Sequence, residues 1–443
     1  MNWTDLLSTH RYASPHKSVD VRSSFQRDYD RIIFSSAFRR LQNKTQVFPL
    51  PGAQMVHNRL THSLEVASVG RSIACRTIQK LTETARNDAV RELKDRQSDI
   101  ETIVSTVCLA HDLGNPPFGH SGEDTISSFF KEGKGRELQS QVRPEQWSDL
   151  VNFEGNANAF RLLTHQFNGR RPGGQSLTAA TLGALIKYPY PSYNKGDRKK
   201  YNVFNSEIEV FEEVMRECGI PRIDDQHLAY ARHPLSYMME ASDDICYLVL
   251  DMEDAHKRGI ISTEAIEEAF TAFFDPIADA GFFQHKKDVW SDVADRNERM
   301  AFLRATLINK LVNCVSDIFV AHYDEIMEGS FKGSLIAYLP EHESNALKQC
   351  REESVKNIYR HPSVVKIELT GFNVIGTLLE EFADAVMNPQ KAYNKKLLSL
   401  MPEQFKPMDD DDVYSKMQSV VDFISNMTDL YAVKMYKDLR GID

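Results

Sequence analysis

The sequence holds no Cys-x-x-Cys pair, and its 6 cysteines are scattered without regular spacing. That pattern offers neither a zinc-ribbon frame nor a disulfide framework. Cys108 and Cys246 lie in apolar runs and read as buried free thiols. A run of about 18 apolar residues, the length a membrane helix needs, is missing throughout. The start Met1-Asn2-Trp3-Thr4-Asp5 lacks an apolar signal core, so the expectation is a cytoplasmic chain with no membrane contact. Basic residues are outnumbered, 53 Lys and Arg against 63 Asp and Glu, for a net charge of -10. Such a balance argues against a general nucleic-acid coat and leaves only a local basic pocket open. No Gly-x-x-x-x-Gly-Lys-Ser/Thr loop is present, so polyphosphate would not be cradled by a P-loop. Alternating β-branched runs between tight turns are almost absent, as are internal repeats; Asp409 to Asp412 is a short acidic tract that reads as a solvated loop.

What is present is helical periodicity in a chain of 443 residues, 42% hydrophobic and 26% charged, long enough to bury a large core. The spacing predicts helices over Asp28 to Leu41, Leu60 to Leu81, Asp124 to Phe130, Phe153 to Phe167, Leu177 to Tyr188 and Leu235 to Lys257. On the second of these, Leu64, Ala67, Ile73 and Ile78 are expected towards the core, with Arg71, Arg76 and Lys80 outside. Residues 131–150 are polar and poorly determined, 189–205 form a basic aromatic loop, and Thr263 onward continues in helix-length segments. The fold class is therefore all-α with little or no sheet.

Chemistry concentrates in His111-Asp112-Leu113-Gly114-Asn115-Pro116-Pro117-Phe118-Gly119-His120-Ser121-Gly122-Glu123, which follows the apolar segment Ile103 to Ala110. A helix that ends in His-Asp and breaks at Gly-Asn-Pro-Pro brings polar side chains out of a core at a fixed point. Neighbours on a helix point about 100° apart, so His111 and Asp112 need ligands from other elements to hold a metal. His62 is the upstream candidate, and Asp243-Asp244, a carboxylate pair inside an apolar helix, the downstream one. Two such acids imply a metal or a basic partner. A mixed nitrogen and oxygen set suits magnesium, manganese or another divalent transition metal and leaves positions for water and phosphate oxygens.

The succession His62, His111-Asp112, Asp243, each on an apolar helix, resembles the HD-domain metal-dependent phosphohydrolases. Phe38 to Phe48, Arg59 to Val66, His111 to Glu123, Phe153 to Ala157 and Asn426 to Ala432 resemble, more narrowly, the deoxyguanosine triphosphate triphosphohydrolases, over nearly the full chain. The resemblance implies an HD-domain core over 51–260, preceded by an arm and first helix over 1–50. A helical C-terminal region over 261–443 would pack on that core. It implies one-step hydrolysis of a deoxynucleoside triphosphate to deoxynucleoside and tripolyphosphate. His62, His111, Asp112 and Asp243 would hold the metal, and His120 with Glu123 would form the catalytic pair. Arg59, Asn156, Lys187 and Lys200 match phosphate-binding positions. Tyr247 and Asp251, one helical turn apart, match sugar-binding positions, the ring excluding a 2′-hydroxyl. Gln46 and Gln42 would read the base with an amide. Ala392 to Lys406 departs from the basic segment of longer members, so dGTP alone or several deoxynucleotides fit as substrate. A homo-oligomer and a nucleotide effector are the partners implied. Two other readings stay open: an HD hydrolase of another nucleotide phosphoester, and a non-catalytic nucleotide-sensing helical protein.

Overall fold

The computed structural model describes residues 1–13, 20–48, 57–84, 88–224 and 226–442. It is all-α: among the described residues the only strands are Arg222–Asp224 and Ala229–Tyr230, an antiparallel pair with Arg222 opposite Tyr230. No described helix is long and apolar enough to cross a membrane, and all six cysteines are free.

The first core is built on helices that carry the chemical motifs. After α1 (Ser24–Phe34) comes α2 (Arg59–Glu83), which packs along α3 (Gln97–Ala110). Asn58 starts α2 with a capping box, its side chain accepting from the Thr61 N–H while the Asn58 N–H donates to the Thr61 hydroxyl. α2 buries His62, Val66, Val69, Ile73 and Ile78. Burial of each branched aliphatic contributes about 1.5–3 kcal/mol. At the crossing the two helices approach so closely that a Cβ on Gly70 would lie 2.6 Å from the Cys108 sulfur. Leu64 breaks the expected stripe: it is exposed, because the face of α2 that meets α3 runs through His62, Val66 and Ile73.

A second core forms where α4 (His120–Lys131) and α5 (Gly155–Thr164) meet the far end of the chain. It joins Ile126, Phe130 and Ala157 to Leu378 and Phe382, then to Phe423 and Met435. The intervening long helices are α6 (Pro234–Lys257) and α7 (Arg296–Ala321), which complete the first core, and α8 (Pro362–Met387), α9 (Val413–Ser425) and α10 (Asp429–Arg440), which complete the second. The stretch from His111 to His120 crosses from one core to the other, and that crossing places the site.

Several expected boundaries move for local reasons. The helix expected over Asp28 to Leu41 begins at Ser24, capped by Ser23 and Gln26. It then breaks at Ser35, whose extended backbone and side chain cap a new turn at Phe38. The Leu177 to Tyr188 helix is shorter, Ala179–Leu185: Ile186 leaves it on extended backbone and Lys187 follows in a bend. Residues 131–150 are ordered as a 3-10 turn and the helix Pro144–Val151. Val47 to Gly52 reads in the sequence as a loop or short extended piece, of which Pro49 to Gly52 lie outside the described residues.

Arg161 on α5 clasps the second core. Its Nε and Nη2 donate to Asp422 on α9 at 2.9 and 2.8 Å, and its Nη1 donates to Glu207 at 2.6 Å, all three side chains being buried. Arg161→Met should cost about 3–5 kcal/mol, since it strands two buried carboxylates. Urea denaturation of the variant checks this, and a loss below about 1 kcal/mol would show that water reaches those carboxylates.

Candidate active site

Three helices converge on one cluster. His62 lies in the first turn of α2, His111 caps the end of α3, and Asp243 sits midway along α6. The Asp243 Oδ1 is 3.2 Å from His62 Nε2 and 3.3 Å from His111 Nε2. One ligand atom from each of the three lies within 4.8 Å of the others. The His111 Nδ1–H donates to the Cys108 carbonyl at 2.6 Å, which leaves Nε2 as the lone-pair nitrogen. That nitrogen is buried and has no hydrogen-bond partner. A buried acceptor without a donor is costly unless a cation meets it, and two imidazoles with a carboxylate form a donor set that divalent metals accept.

Asp112 stands beside this cluster, with its Oδ1 3.5 Å from His111 Nε2. Arg59 Nη1 donates to its Oδ2 at 2.6 Å, and the Asn115 side-chain amide donates to Oδ1 at 2.5 Å. Burial alone would raise the Asp112 carboxyl, but the Arg59 guanidinium outweighs it and holds the group well below the usual range. Lys187 donates to Asp243 Oδ2 at 2.8 Å from a buried position. Burial opposes its charge, and Asp243 overrides that and raises the ammonium above its ordinary value.

His120 is the first residue of α4, which starts ahead of the Asp124 that the periodicity predicts. The turn before it uses left-handed backbone at both Phe118 (φ 62°) and Gly119 (φ 60°). Glycine is needed at the second position for space as well, since a Cβ there would lie 2.8 Å from Arg59 Nη2. The His120 Nδ1 meets Glu123 Oε2 at 2.9 Å, and the other Glu123 oxygen accepts the Gly155 N–H at 2.8 Å. With 74% of its side chain exposed, the imidazole is accessible to a bound molecule although its partner is fixed. The hydrogen bond and charge of Glu123 raise the His120 pKa. Glu123→Gln removes the anion that favours imidazolium, so the limb of the pH–rate profile that reports His120 should move to lower pH. A limb that stays in place would assign that titration to another group.

These residues face a cleft of about 380 Å³, whose lining includes Gln46, Arg59, His111, Asp112, His120, Glu123, Asn156, Lys187, Lys200, Asp243 and Tyr247. Three expected residues do not line it. His62 is buried against Asp243, Asp251 is buried, and Gln42 is exposed on the turn Leu41–Asn43. Gln46 carries a buried Oε1 with no partner. Asn156 is held by Glu154, which accepts its backbone N–H at 3.0 Å and its side-chain amide at 2.8 Å. Burial and then the neighbouring Glu123 push the Glu154 carboxyl up to about 7.

Sequence reasoning missed Tyr359 and Glu368 from the C-terminal half, both of which line the cleft. The Tyr359 hydroxyl donates to Asp251 Oδ2 at 2.8 Å, and its ring stacks on Tyr247 with centroids 6.0 Å apart. Burial pushes the Asp251 carboxyl up to about 7. Tyr359 follows a π-helical turn at Ser354–Ile358, a local irregularity that no 3.6-residue pattern announces.

An all-helical fold that gathers two histidines and aspartates from separate helices, beside a histidine–glutamate pair in a polar cleft, is that of an HD-type phosphohydrolase. Residues 337–438 match the phosphohydrolase-associated domain. The chain is 38% identical to a deoxyguanosinetriphosphate triphosphohydrolase-like protein of Synechocystis, over 100% of both chains. It is 35% identical to a protein of the same description from Pseudomonas aeruginosa, over 100% of this chain and 99% of that one. A deoxyguanosinetriphosphate triphosphohydrolase of Yersinia enterocolitica is 30% identical, over 97% of this chain and 96% of its own. The chain belongs to the deoxyguanosinetriphosphate triphosphohydrolase family.

Proposed function

We propose that the protein hydrolyses deoxynucleoside triphosphates, dGTP or several of them, in one step to deoxynucleoside and inorganic tripolyphosphate. The observation that carries this reading is the unpartnered, buried Nε2 of His111, poised with His62 and Asp243 at a cleft that also holds His120, Lys187 and Lys200. His62, His111, Asp112 and Asp243 would hold a divalent ion, magnesium or manganese being the simplest choices. Bound there, it would supply Lewis acidity towards phosphate oxygen and acidify water.

The chain's own groups divide the remaining work. Arg59, Lys187, Lys200 and Asn156 bind phosphate oxygens, which a tetraanionic substrate needs in the absence of a P-loop. Lys187 bridges the two tasks, because it already neutralises Asp243. His120 is the proton-transfer group at the α-phosphorus. Glu123 engages its Nδ1, leaving Nε2 for the substrate. Tyr247 takes the sugar from the cleft lining; Asp251, its proposed partner one turn on, is buried behind that lining, where its Oδ2 accepts from the Tyr359 hydroxyl. Gln46 reads the base, its free Oε1 being an acceptor in search of a donor; Gln42, on the exposed turn before it, stands outside the lining.

The division into an arm (1–50), a phosphohydrolase core (51–260) and a helical C-terminal region (261–443) belongs to the same proposal, with Tyr359 and Glu368 carrying that last region into the cleft. Homo-oligomerisation, response to an effector nucleotide and a cytoplasmic location rest on the family and the sequence. Incubation with each deoxynucleoside triphosphate and magnesium or manganese, with products resolved by anion-exchange chromatography, tests the central reading. Deoxynucleoside and tripolyphosphate should appear in equal amounts. Release of orthophosphate or pyrophosphate in their place would overturn it.

A further inference from the structure

The segment that opens α10 does not itself line the cleft, yet it grips a lining residue on each of two walls from behind. Asp429 is buried, and its two oxygens accept from two distant backbone amides: Oδ2 from Thr45 N–H at 2.8 Å and Oδ1 from Phe118 N–H at 3.1 Å. Thr45 immediately precedes Gln46, and Phe118 lies two residues before His120. Lys44 adds a second tie, its buried ammonium donating to the Asn115 carbonyl at 2.5 Å and to the Ser425 carbonyl at 2.8 Å. Asn158 adds a third, donating to the Gly114 carbonyl at 2.7 Å and to the Ser425 hydroxyl at 3.1 Å.

We propose that Asp429 is a positioning residue for the hydrolytic reaction, one carboxylate setting the distance and angle between the wall that bears Gln46 and the turn that delivers His120. Phe118 shows why a restraint is needed there. A residue with a Cβ holds left-handed backbone only when its surroundings enforce it, and the Phe118 N–H is the point at which Asp429 does so. The hydrophobic clusters hold α4 and α10 in place by themselves, but apolar packing does not fix the rotation of a turn to the fraction of an ångström that proton transfer requires. The phosphohydrolase-associated match, residues 337–438, therefore contains part of the active-site scaffold.

The inference rests on the hydrolase reading above, and the test is arranged to separate the two. Whichever phosphoester the wild-type protein cleaves fastest serves as substrate, so the ratio of variant to wild type stands even if the product is not tripolyphosphate. Asp429→Asn preserves shape but offers one acceptor, turning an amide N–H towards the second donor. It should lower kcat by about 10–100-fold, change KM much less, and leave bound metal unchanged because the metal-site helices are untouched. Met435→Ala, a core truncation in the same helix, is the control: it should lower the melting temperature and leave kcat near wild type. Asp429→Glu keeps both acceptors at a longer reach and should fold, with a kcat still below that of the wild type. Asp429→Asn with wild-type kcat, or with a kcat that only follows its melting temperature as Met435→Ala does, would overturn the proposal. So would failure of both Asp429 variants to fold, which would make the residue purely structural.

Discussion

Replacing His120 with alanine lowers kcat for the proposed hydrolysis by about 10²–10⁴-fold, the range that a positioned acid–base group supplies. The side chain is largely exposed and makes one hydrogen bond, to Glu123, so its removal should leave stability almost unchanged. The loss therefore reads as chemistry. Metal content should equal that of the wild type, since none of the cluster at His62, His111 and Asp243 contacts His120. Because Glu123 raises the His120 pKa, the wild-type profile keeps its imidazolium limb above the pH at which an isolated histidine would titrate. In His120→Ala that limb should vanish, and added imidazole should restore part of the rate. A variant that keeps more than a fifth or so of wild-type kcat would remove His120 from the reaction and leave Glu123 as a helix-capping acid.

Replacing His111 with alanine should abolish tight metal binding and lower hydrolysis by about 10³-fold or more, the scale set by losing charge stabilisation at a reacting phosphorus. The argument comes from the tautomer. With Nδ1–H committed to the Cys108 carbonyl, Nε2 has only a lone pair to offer and no donor to receive it. The buried imidazole cannot turn to water, so Nε2 is met either by a cation or by a proton shared with Asp243 Oδ1 at 3.3 Å. Truncation also strands the Cys108 carbonyl, at a cost of about 1–3 kcal/mol, small enough for the fold to survive. Metal analysis after dialysis, with a melting curve as control, reads the effect. A His111→Ala protein with wild-type metal content and rate would show that the cluster is an ion-pair network and would favour the nucleotide-sensing alternative.

The meeting of His62, His111 and Asp243 was legible because each sits in a local motif on an amphipathic helix, and helix α6 was visible from its own periodicity. His111 at a helix end was legible too, since Gly114 and the two prolines announce the stop. What stayed hidden depends on contacts distant in sequence. Leu64 is apolar and correctly spaced yet exposed, because the approach of α3 selects a neighbouring face of α2. Lys187 was identified as a candidate, but its position beyond a shortened helix, where it reaches Asp243, depends on the packing of Ala179–Leu185. Tyr359 follows a π turn, and Asp429 acts through backbone amides more than 300 residues away. Neither leaves a periodic signal. Asn426 to Ala432 carried family resemblance without a role, and the grip of Asp429 on Thr45 and Phe118 is a physical candidate for one.

Oxygen-isotope tracing tests the central claim most directly. Hydrolysis of a deoxynucleoside triphosphate in ¹⁸O-water with added magnesium or manganese, followed by ³¹P NMR and mass analysis, locates the incoming oxygen. Attack at the α-phosphorus breaks its bond to the 5′-oxygen, so the label should enter a terminal phosphate of tripolyphosphate, and the deoxynucleoside should carry none. Label in the 5′-hydroxyl, in orthophosphate or in pyrophosphate would contradict a site in which His120 and the His62–His111–Asp243 cluster converge on that one phosphorus.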